Sequence, residues 1–415
     1  MRIFFVTLML LTATLLLNCE QSSAKKPANL PAGQWRATLN VPGGKLPFQL
    51  KIRRENQKLS AYLINGGEEV PIQQVSTNGD SVTLTLPAFN STIRAKIEQN
   101  RLSGNLTLVK SGGNAQVIPF HAEHDKDYRF FDGTQNTATD ISGRWAVTFR
   151  DDDGAESEAI GEFQQKGSLL FGTFLTPTGD YRFLEGDMRG QSIYLSCFDG
   201  AHAFLFKAKL GEDGQLAGDF WSGTAWHESW IARRDENAQL PDAFSLTHLK
   251  PGFDRFTFAF PDLDGNRVSL DDAKYRGKVV IVTLAGSWCP NCHDEARFLS
   301  KFYKEYRDKG VEIIGLMYEH YGDFDKAARQ VRRFRKKFDI QYDLLIAGIS
   351  KKTEAAKTLP ALDHVLAFPT TIFIDRNGNV RKVHTGFSGP GTGEHFEEFK
   401  REFYALMDEL VKVSG

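Results

Sequence analysis

Lys278-Val279-Val280-Ile281-Val282-Thr283-Leu284-Ala285-Gly286-Ser287-Trp288-Cys289-Pro290-Asn291-Cys292 is the stretch whose reading decides the fold of the C-terminal third. Lys278 to Leu284 is a nearly unbroken apolar run, the pattern of a central strand covered on both faces. Gly286 and Ser287 break it, and two cysteines three apart open a segment of helical spacing. Ala296, Leu299, Phe302, Tyr303 and Tyr306 fall on one side of that helix, and Gly310 stops it. Cys289 and Cys292 therefore sit on the first helical turn, face the same way and can close a small disulfide ring. Unpaired N–H groups at a helix start favour thiolate over thiol, which makes Cys289 the expected nucleophile and Cys292 the buried resolving thiol. Pro290 fits the first helical position, where its missing N–H costs nothing.

Further along, strands and helices continue to alternate. A strand is expected over Val311 to Met317, a helix over Asp325 to Phe338, and a strand-like run over Tyr342 to Ile346. Lys351 to Pro369 reads as helix and loop beside the cysteines. Phe368-Pro369-Thr370-Thr371-Ile372-Phe373-Ile374 leads through the turn Asn377-Gly378 to a strand ending at His384, and an amphipathic helix starts at Glu394. Strand, Trp-Cys-x-x-Cys, helix and a later Pro-Thr before a strand together resemble the thioredoxin superfamily. The lead-in Pro261-Asp262-Leu263-Asp264-Gly265, with Val268-Ser269-Leu270 and Arg276-Gly277-Lys278, is similar to the membrane-anchored thiol–disulfide oxidoreductases of the TlpA/ResA type. The resemblance runs from about Pro251 to the end, about two fifths of the chain.

That resemblance implies an enzyme exchanging disulfides with partner proteins, as a reductant recharged by an upstream thiol, through a redox-active Cys289–Cys292 disulfide. It implies a cis proline at Pro369 opposite the disulfide, with Trp288, Pro290, Phe368 and Pro369 lining the substrate. Phe368 stands where relatives carry smaller β-branched residues; a ring there narrows substrate choice or simply packs. Glu295, three residues after Cys292 on the same helix face, matches a functional Glu of ResA-type proteins and is placed to exchange protons with that thiol. An acidic residue favouring any first helical turn is the plainer reading. Thr283 stands six residues before Cys289, where thioredoxins proper carry a buried Asp, so proton handling passes to Glu295. No cofactor and no metal are expected.

Residues 33–123 and 140–235 read as two tandem copies of an all-β domain. Gly33-Gln34-Trp35-Arg36-Ala37-Thr38-Leu39 echoes Gly143-Arg144-Trp145-Ala146-Val147-Thr148-Phe149, and Leu102-Ser103-Gly104-Asn105-Leu106 echoes Leu216-Ala217-Gly218-Asp219-Phe220. Each copy holds about eight short runs separated by Gly, Asn and Asp turns, the spacing of a small up-and-down barrel that closes its own edges. Alternation in Phe48 to Ile52 and Phe204 to Ala208 would send every second side chain to one face. The early Gly-x-Trp resembles lipocalin-like barrels, and a barrel of this size can hold one small ligand. His202 and His227 each stand alone in the sequence, and Cys197 in Ile193 to Phe198 reads as a buried thiol serving as a small hydrophobe. The fold class expected is thus multidomain: two barrel-like copies, then an α/β thioredoxin-like domain over 251–415.

The 51 basic and 52 acidic residues leave a net charge of −1, without the basic footprint of a nucleic-acid binder. Met1 to Leu17 reads as an export signal, too short an apolar run to span a bilayer. It ends Leu16-Leu17-Asn18-Cys19, which resembles the lipobox of bacterial lipoproteins. The expectation is a signal peptide over 1–18, a lipidated Cys19, a tether over 19–32 and a protein held on a membrane in the periplasm or cell envelope. Ordinary cleavage after Ser22-Ser23-Ala24 is the alternative. Three other functions compete: a peroxiredoxin-like thiol peroxidase, a surface lipoprotein whose β copies bind a ligand, and a c-type haem carrier through Cys289-Pro290-Asn291-Cys292-His293. The peroxidase lacks its Thr before the cysteine, where Gly286 stands. The haem motif follows a buried strand instead of sitting in a helical domain, which leaves His293 an exposed helix residue. Arg332-Arg333-Phe334-Arg335-Lys336-Lys337 reads as the solvated side of a helix.

Overall fold

A computed structural model describes residues 30–412 apart from 57, 87–88, 134–138 and 254. Cys19, the export signal and most of the tether lie outside the described residues. No described helix is long and apolar enough to cross a membrane.

Between Gly33 and His124 nine antiparallel strands follow one another among the described residues, one more than the sequence suggests. The first, Gly33–Val41, pairs with the last, Ala115–His124, setting Leu39 opposite Phe120, and this curls the sheet into a barrel. The fourth and fifth strands, Glu68–Ile72 and Gln74–Asn78, do not pair, so this copy keeps a seam where full closure was expected. The second copy does close. Its strand Glu156–Lys166 pairs with Gly143–Asp151 on one side and Leu169–Thr176 on the other, and Gly143–Asp151 pairs in turn with the last strand, Trp226–Arg234.

The duplicated Gly-x-Trp has the same job in both copies. Trp35 and Trp145 are buried, and each donates its indole N–H to the carbonyl four residues earlier, Pro31 at 3.2 Å and Ile141 at 3.0 Å. Burying an indole leaves its polar edge needing a partner, and the chain entering the barrel supplies it. Inside the second barrel, rings pack on rings: Phe206 stacks on Phe220 at 4.3 Å, and Phe174, Phe149 and Trp230 close around them. Cys197 is fully buried in the same cluster.

Strand alternation breaks down where the barrels meet. Ala203 to Phe206 are four successive buried residues, because Phe198, Ala203 and Leu205 join the core of the first barrel. Arg129, from the connecting segment, is buried at this junction. Its guanidinium donates to Glu185 at 2.9 Å, Asn65 Oδ1 at 3.0 Å, and the Ser196 hydroxyl and carbonyl at 3.1 and 2.9 Å. Asn65 in turn donates to the Phe198 carbonyl at 2.8 Å.

The C-terminal third is built on a five-stranded sheet. Its elements are β1 (Val279–Ala285), α1 (Pro290–Tyr306), β2 (Val311–Glu319), α2 (Phe324–Phe338), β3 (Asp343–Ile349), α3 (Lys352–Thr358), β4 (Thr370–Ile374), β5 (Val380–Thr385) and α4 (Glu394–Lys412). The strand order is β3-β2-β1-β4-β5, with β1, β2 and β3 parallel and β4 and β5 antiparallel to their neighbours. Every residue of β1 is buried, as its apolar run requires. Gly310 ends the first crossover at φ 85°, a left-handed conformation that suits glycine.

Candidate active site

The β1–α1 turn and the sheet register assemble the site. Leu284 of β1 pairs with Thr370 of β4, which carries the Phe368–Pro369 bond, here cis, to the end of β1 where the cysteines begin. Cys289 caps α1: its Sγ accepts the N–H of Cys292 at 3.3 Å, and the thiol donates to the Phe368 carbonyl at 3.4 Å. An N–H pointing at a sulfur at the positive end of a helix is the arrangement that holds a thiolate. Cys289 is 6% exposed and Cys292 0%, so only the first sulfur can meet another molecule. Burial pushes the Cys292 thiol well up, with Cys289 and then Glu295 adding to it.

Around Cys289 the rings form one wall. Trp288 donates its indole N–H to the Tyr318 carbonyl at 2.8 Å, stacks on His320 at 4.7 Å and meets Phe368 edge-on at 6.0 Å. Phe368 also packs on Tyr318 at 5.3 Å. Trp288, Phe368 and Pro369 therefore gather beside the sulfur, whereas Pro290 is buried on the other side against the barrels.

Glu295 lies under the site. It is buried, and it accepts hydrogen bonds from the hydroxyls of Thr283 at 2.6 Å and Thr371 at 2.5 Å. The side chain from α1 thus reaches the very strand position where the sequence comparison expected a displaced carboxylate. Burial outweighs the two hydroxyls and raises its pKa to about 7. A carboxyl whose folded pKa lies above its unfolded value keeps its proton in the native state after the unfolded chain has lost it. Its contribution is therefore full below about pH 4.5 and lost as pH rises through 7. Glu295→Gln should flatten the fall in unfolding free energy between pH 5 and 7 by about one proton, and should gain on the wild type above pH 7. At about 1.4 kcal/mol per pKa unit the gain is on the order of 3 kcal/mol; denaturant midpoints across this range check it, and parallel curves would contradict it.

Several neighbours gave no sign in the sequence. Glu319, at the carboxyl end of β2, accepts the Ser287 N–H at 2.8 Å and its hydroxyl at 2.7 Å, pinning the turn before Trp288. Its place at the end of a parallel strand was the one available signal. His293 is buried and not exposed: it bonds the Ser287 carbonyl at 2.6 Å and stacks on Phe89 of the first barrel at 4.4 Å. Lys337, at the end of the basic run, turns inward to within 3.2 Å of His293. His202 and His227 are also partnered. His202 meets Asp199 at 3.0 Å, and His227 bridges Asp152 and Asp219 at 2.7 and 3.0 Å. From the second barrel, the turn Pro177 to Arg182 reaches Pro290, Asn291 and Asp294.

The C-terminal part of the chain is similar to known proteins. Residues 240–399 match the Redoxin family model. Thiol-disulfide oxidoreductase ResA of Bacillus thuringiensis subsp. konkukian is 32% identical over 145 residues, 35% of this chain and 73% of that protein. Thioredoxin-like protein YneN of Bacillus subtilis is 30% identical over 129 residues, 31% of this chain and 68% of that protein. Among solved structures, a DsbE-type thiol:disulfide interchange protein of Chlorobium tepidum covers 38% of this chain and 98% of its own length, at 22% identity and a TM-score of 0.29.

Proposed function

Because the chain belongs, through its C-terminal domain, to the ResA-like thiol–disulfide oxidoreductases of the thioredoxin superfamily, we propose that it reduces disulfides of partner proteins outside the cytoplasm. The observation that carries the assignment of residues is the pairing of a reachable sulfur, capping α1 beside the Phe368 carbonyl, with a wholly buried one a turn away. Cys289 as thiolate attacks one sulfur of the partner's disulfide and releases the other as a thiolate. Cys292 then attacks the Cys289 sulfur, which frees the partner as a dithiol and leaves the Cys289–Cys292 disulfide, two electrons having passed to the partner. An upstream thiol reductant restores the pair.

Glu295 takes the proton that Cys292 must lose for the second step, a role suited to a buried carboxyl that titrates near neutral pH. The same Glu295→Gln change should remove an inflection near pH 7 from the exchange rate. Trp288, Phe368 and Pro369 form the wall against which the partner chain lies. The apolar run ending at Cys19 supports export and a lipid anchor. In chain order the barrels lie between Cys19 and the site, and they are the candidate surface for holding a partner.

The test is to equilibrate the full chain across thiol redox buffers, alkylate it and weigh it. Two alkyl groups should appear together at one potential. A midpoint near about −270 mV marks a reductant, and one near about −120 mV an oxidant. A pair that never titrates, or a haem-sized mass, would refute the reading.

A further inference from the structure

The dipeptide between the two cysteines is held by the second barrel as well as by its own domain. Asn291 is buried and donates its amide to the Asp180 carbonyl at 3.4 Å and to the Phe387 carbonyl at 3.2 Å. Arg182 donates to the Pro290 carbonyl at 3.4 Å and pairs with Asp294 one turn along α1. The fit is close. A Cβ on Gly179 would lie 2.0 Å from the Asn291 amide nitrogen, and one on Gly386 would lie 2.8 Å from the Thr178 backbone. Arg182 itself is held in the left-handed region at φ 62°, with its N–H on Asp180 at 2.6 Å. A non-glycine residue keeps such a conformation only where its surroundings over-determine it.

The guanidinium is 5% exposed and serves three bodies at once. It pairs with Glu68 of the first barrel, lies 3.6 Å from Asp199 of the second and pairs with Asp294 of α1. It is thus a buried positive charge shared by three carboxylates and bonded to the carbonyl of Pro290, the residue next to Cys289; Arg297 also pairs with Asp294 at 2.9 Å and His202 with Asp199 at 3.0 Å. We propose that Arg182 is a positioning residue of the redox centre, through which the second barrel holds Pro290 and Asn291 and favours the reduced form of the Cys289–Cys292 pair. This rests on the disulfide-exchange reading above and adds that the barrel is part of the catalytic unit. The physical reason is direct: without Arg182 the cluster keeps its carboxylates with only Arg297 and His202 against them, so negative charge beside the redox pair is less compensated, and the Pro290 carbonyl loses its donor.

The full chain is titrated against glutathione, in which dithiol plus oxidised glutathione gives disulfide plus two reduced glutathiones. Arg182→Met should lower the reduced-to-oxidised ratio at fixed buffer about tenfold, moving the midpoint about 30 mV more negative. Arg182→Lys, which keeps the charge, should recover part of the shift. Burial raises the Glu68 pKa to about 7, so at pH 8, where it is ionised, Glu68→Gln removes a carboxylate from the same cluster and should move the midpoint the opposite way. Arg233→Ala, an exposed charge on the same barrel, should leave it unchanged. A folded Arg182→Met with the wild-type midpoint overturns the proposal. If that variant does not fold, Glu68→Gln decides: an upward shift supports the proposal and an unchanged midpoint overturns it. A wild-type pair that never titrates would instead refute the exchange reading itself.

Discussion

Cys289→Ser should reduce disulfide exchange to background, while Cys292→Ser should stop it one step later with the partner still attached. The difference follows from access. Cys289 is the more exposed of the two sulfurs, capping α1 under the Cys292 N–H, and a serine oxygen there cannot exchange with a disulfide. Cys292 has no exposure at all, so its absence leaves the first attack intact and removes only the group that resolves the mixed disulfide. Non-reducing electrophoresis of each variant with a disulfide-bearing model protein reads both outcomes. Cys292→Ser should give a reducible covalent adduct, and Cys289→Ser none. An adduct forming through Cys292 in the Cys289→Ser variant would reverse the assignment of the two sulfurs.

Arg129→Met should carry the largest stability loss outside the aromatic cores, about 3–5 kcal/mol. Arg129 is fully enclosed between the barrels, and its donors satisfy Glu185, Asn65 and Ser196 together. Removing it takes away the guanidinium that pairs with Glu185 and leaves Glu185 and the Asn65 oxygen with one backbone N–H each, from Gly66 and Phe198, so a charge is left unpaired at the junction. Denaturant unfolding followed by tryptophan fluorescence measures the loss, with Trp35 in the first barrel, Trp145, Trp221, Trp226 and Trp230 in the second and Trp288 beside the cysteines all contributing. The exposed Arg53–Glu69 pair is the control, since its charges are screened by water, and Arg53→Ala should leave the midpoint in place. A change at Arg129 as small as that at Arg53 would mean that the barrels are held by their apolar contact alone.

Much of the site was legible because it is local. Lys278 to Cys292 is one strand and one helical turn, so spacing alone places both sulfurs, and the cap at Cys289 follows from helix physics. Pro369 was within reach only through the family resemblance, as the proline before Thr370-Thr371 and an apolar run. Glu295 was visible as one turn beyond Cys292, but its partners Thr283 and Thr371 come from two different strands. His293 read as exposed for the same kind of reason: its cover comes from elements distant in sequence, Phe334 and Phe338 of α2 and Phe89 of the first barrel. Leu205 and its neighbours broke the strand rule because the outer face of one barrel is the inner face of a contact with the other.

The sequence by itself determined the elements whose cause lies within a few residues or in a period. These are the buried central strand, the two thiols on one turn, the duplicated Gly-x-Trp with its buried indole, and the strand-rich repeat. What only the tertiary structure decided is everything that depends on which surfaces meet. It seated Arg129 between the barrels and Arg182 among carboxylates from three parts of the chain. It set Asn291 against Asp180, more than a hundred residues away, and left one barrel closed and the other with a seam. Periodicity records which side of an element is apolar, and the burial of a charge or an amide depends on a partner that no local pattern encodes.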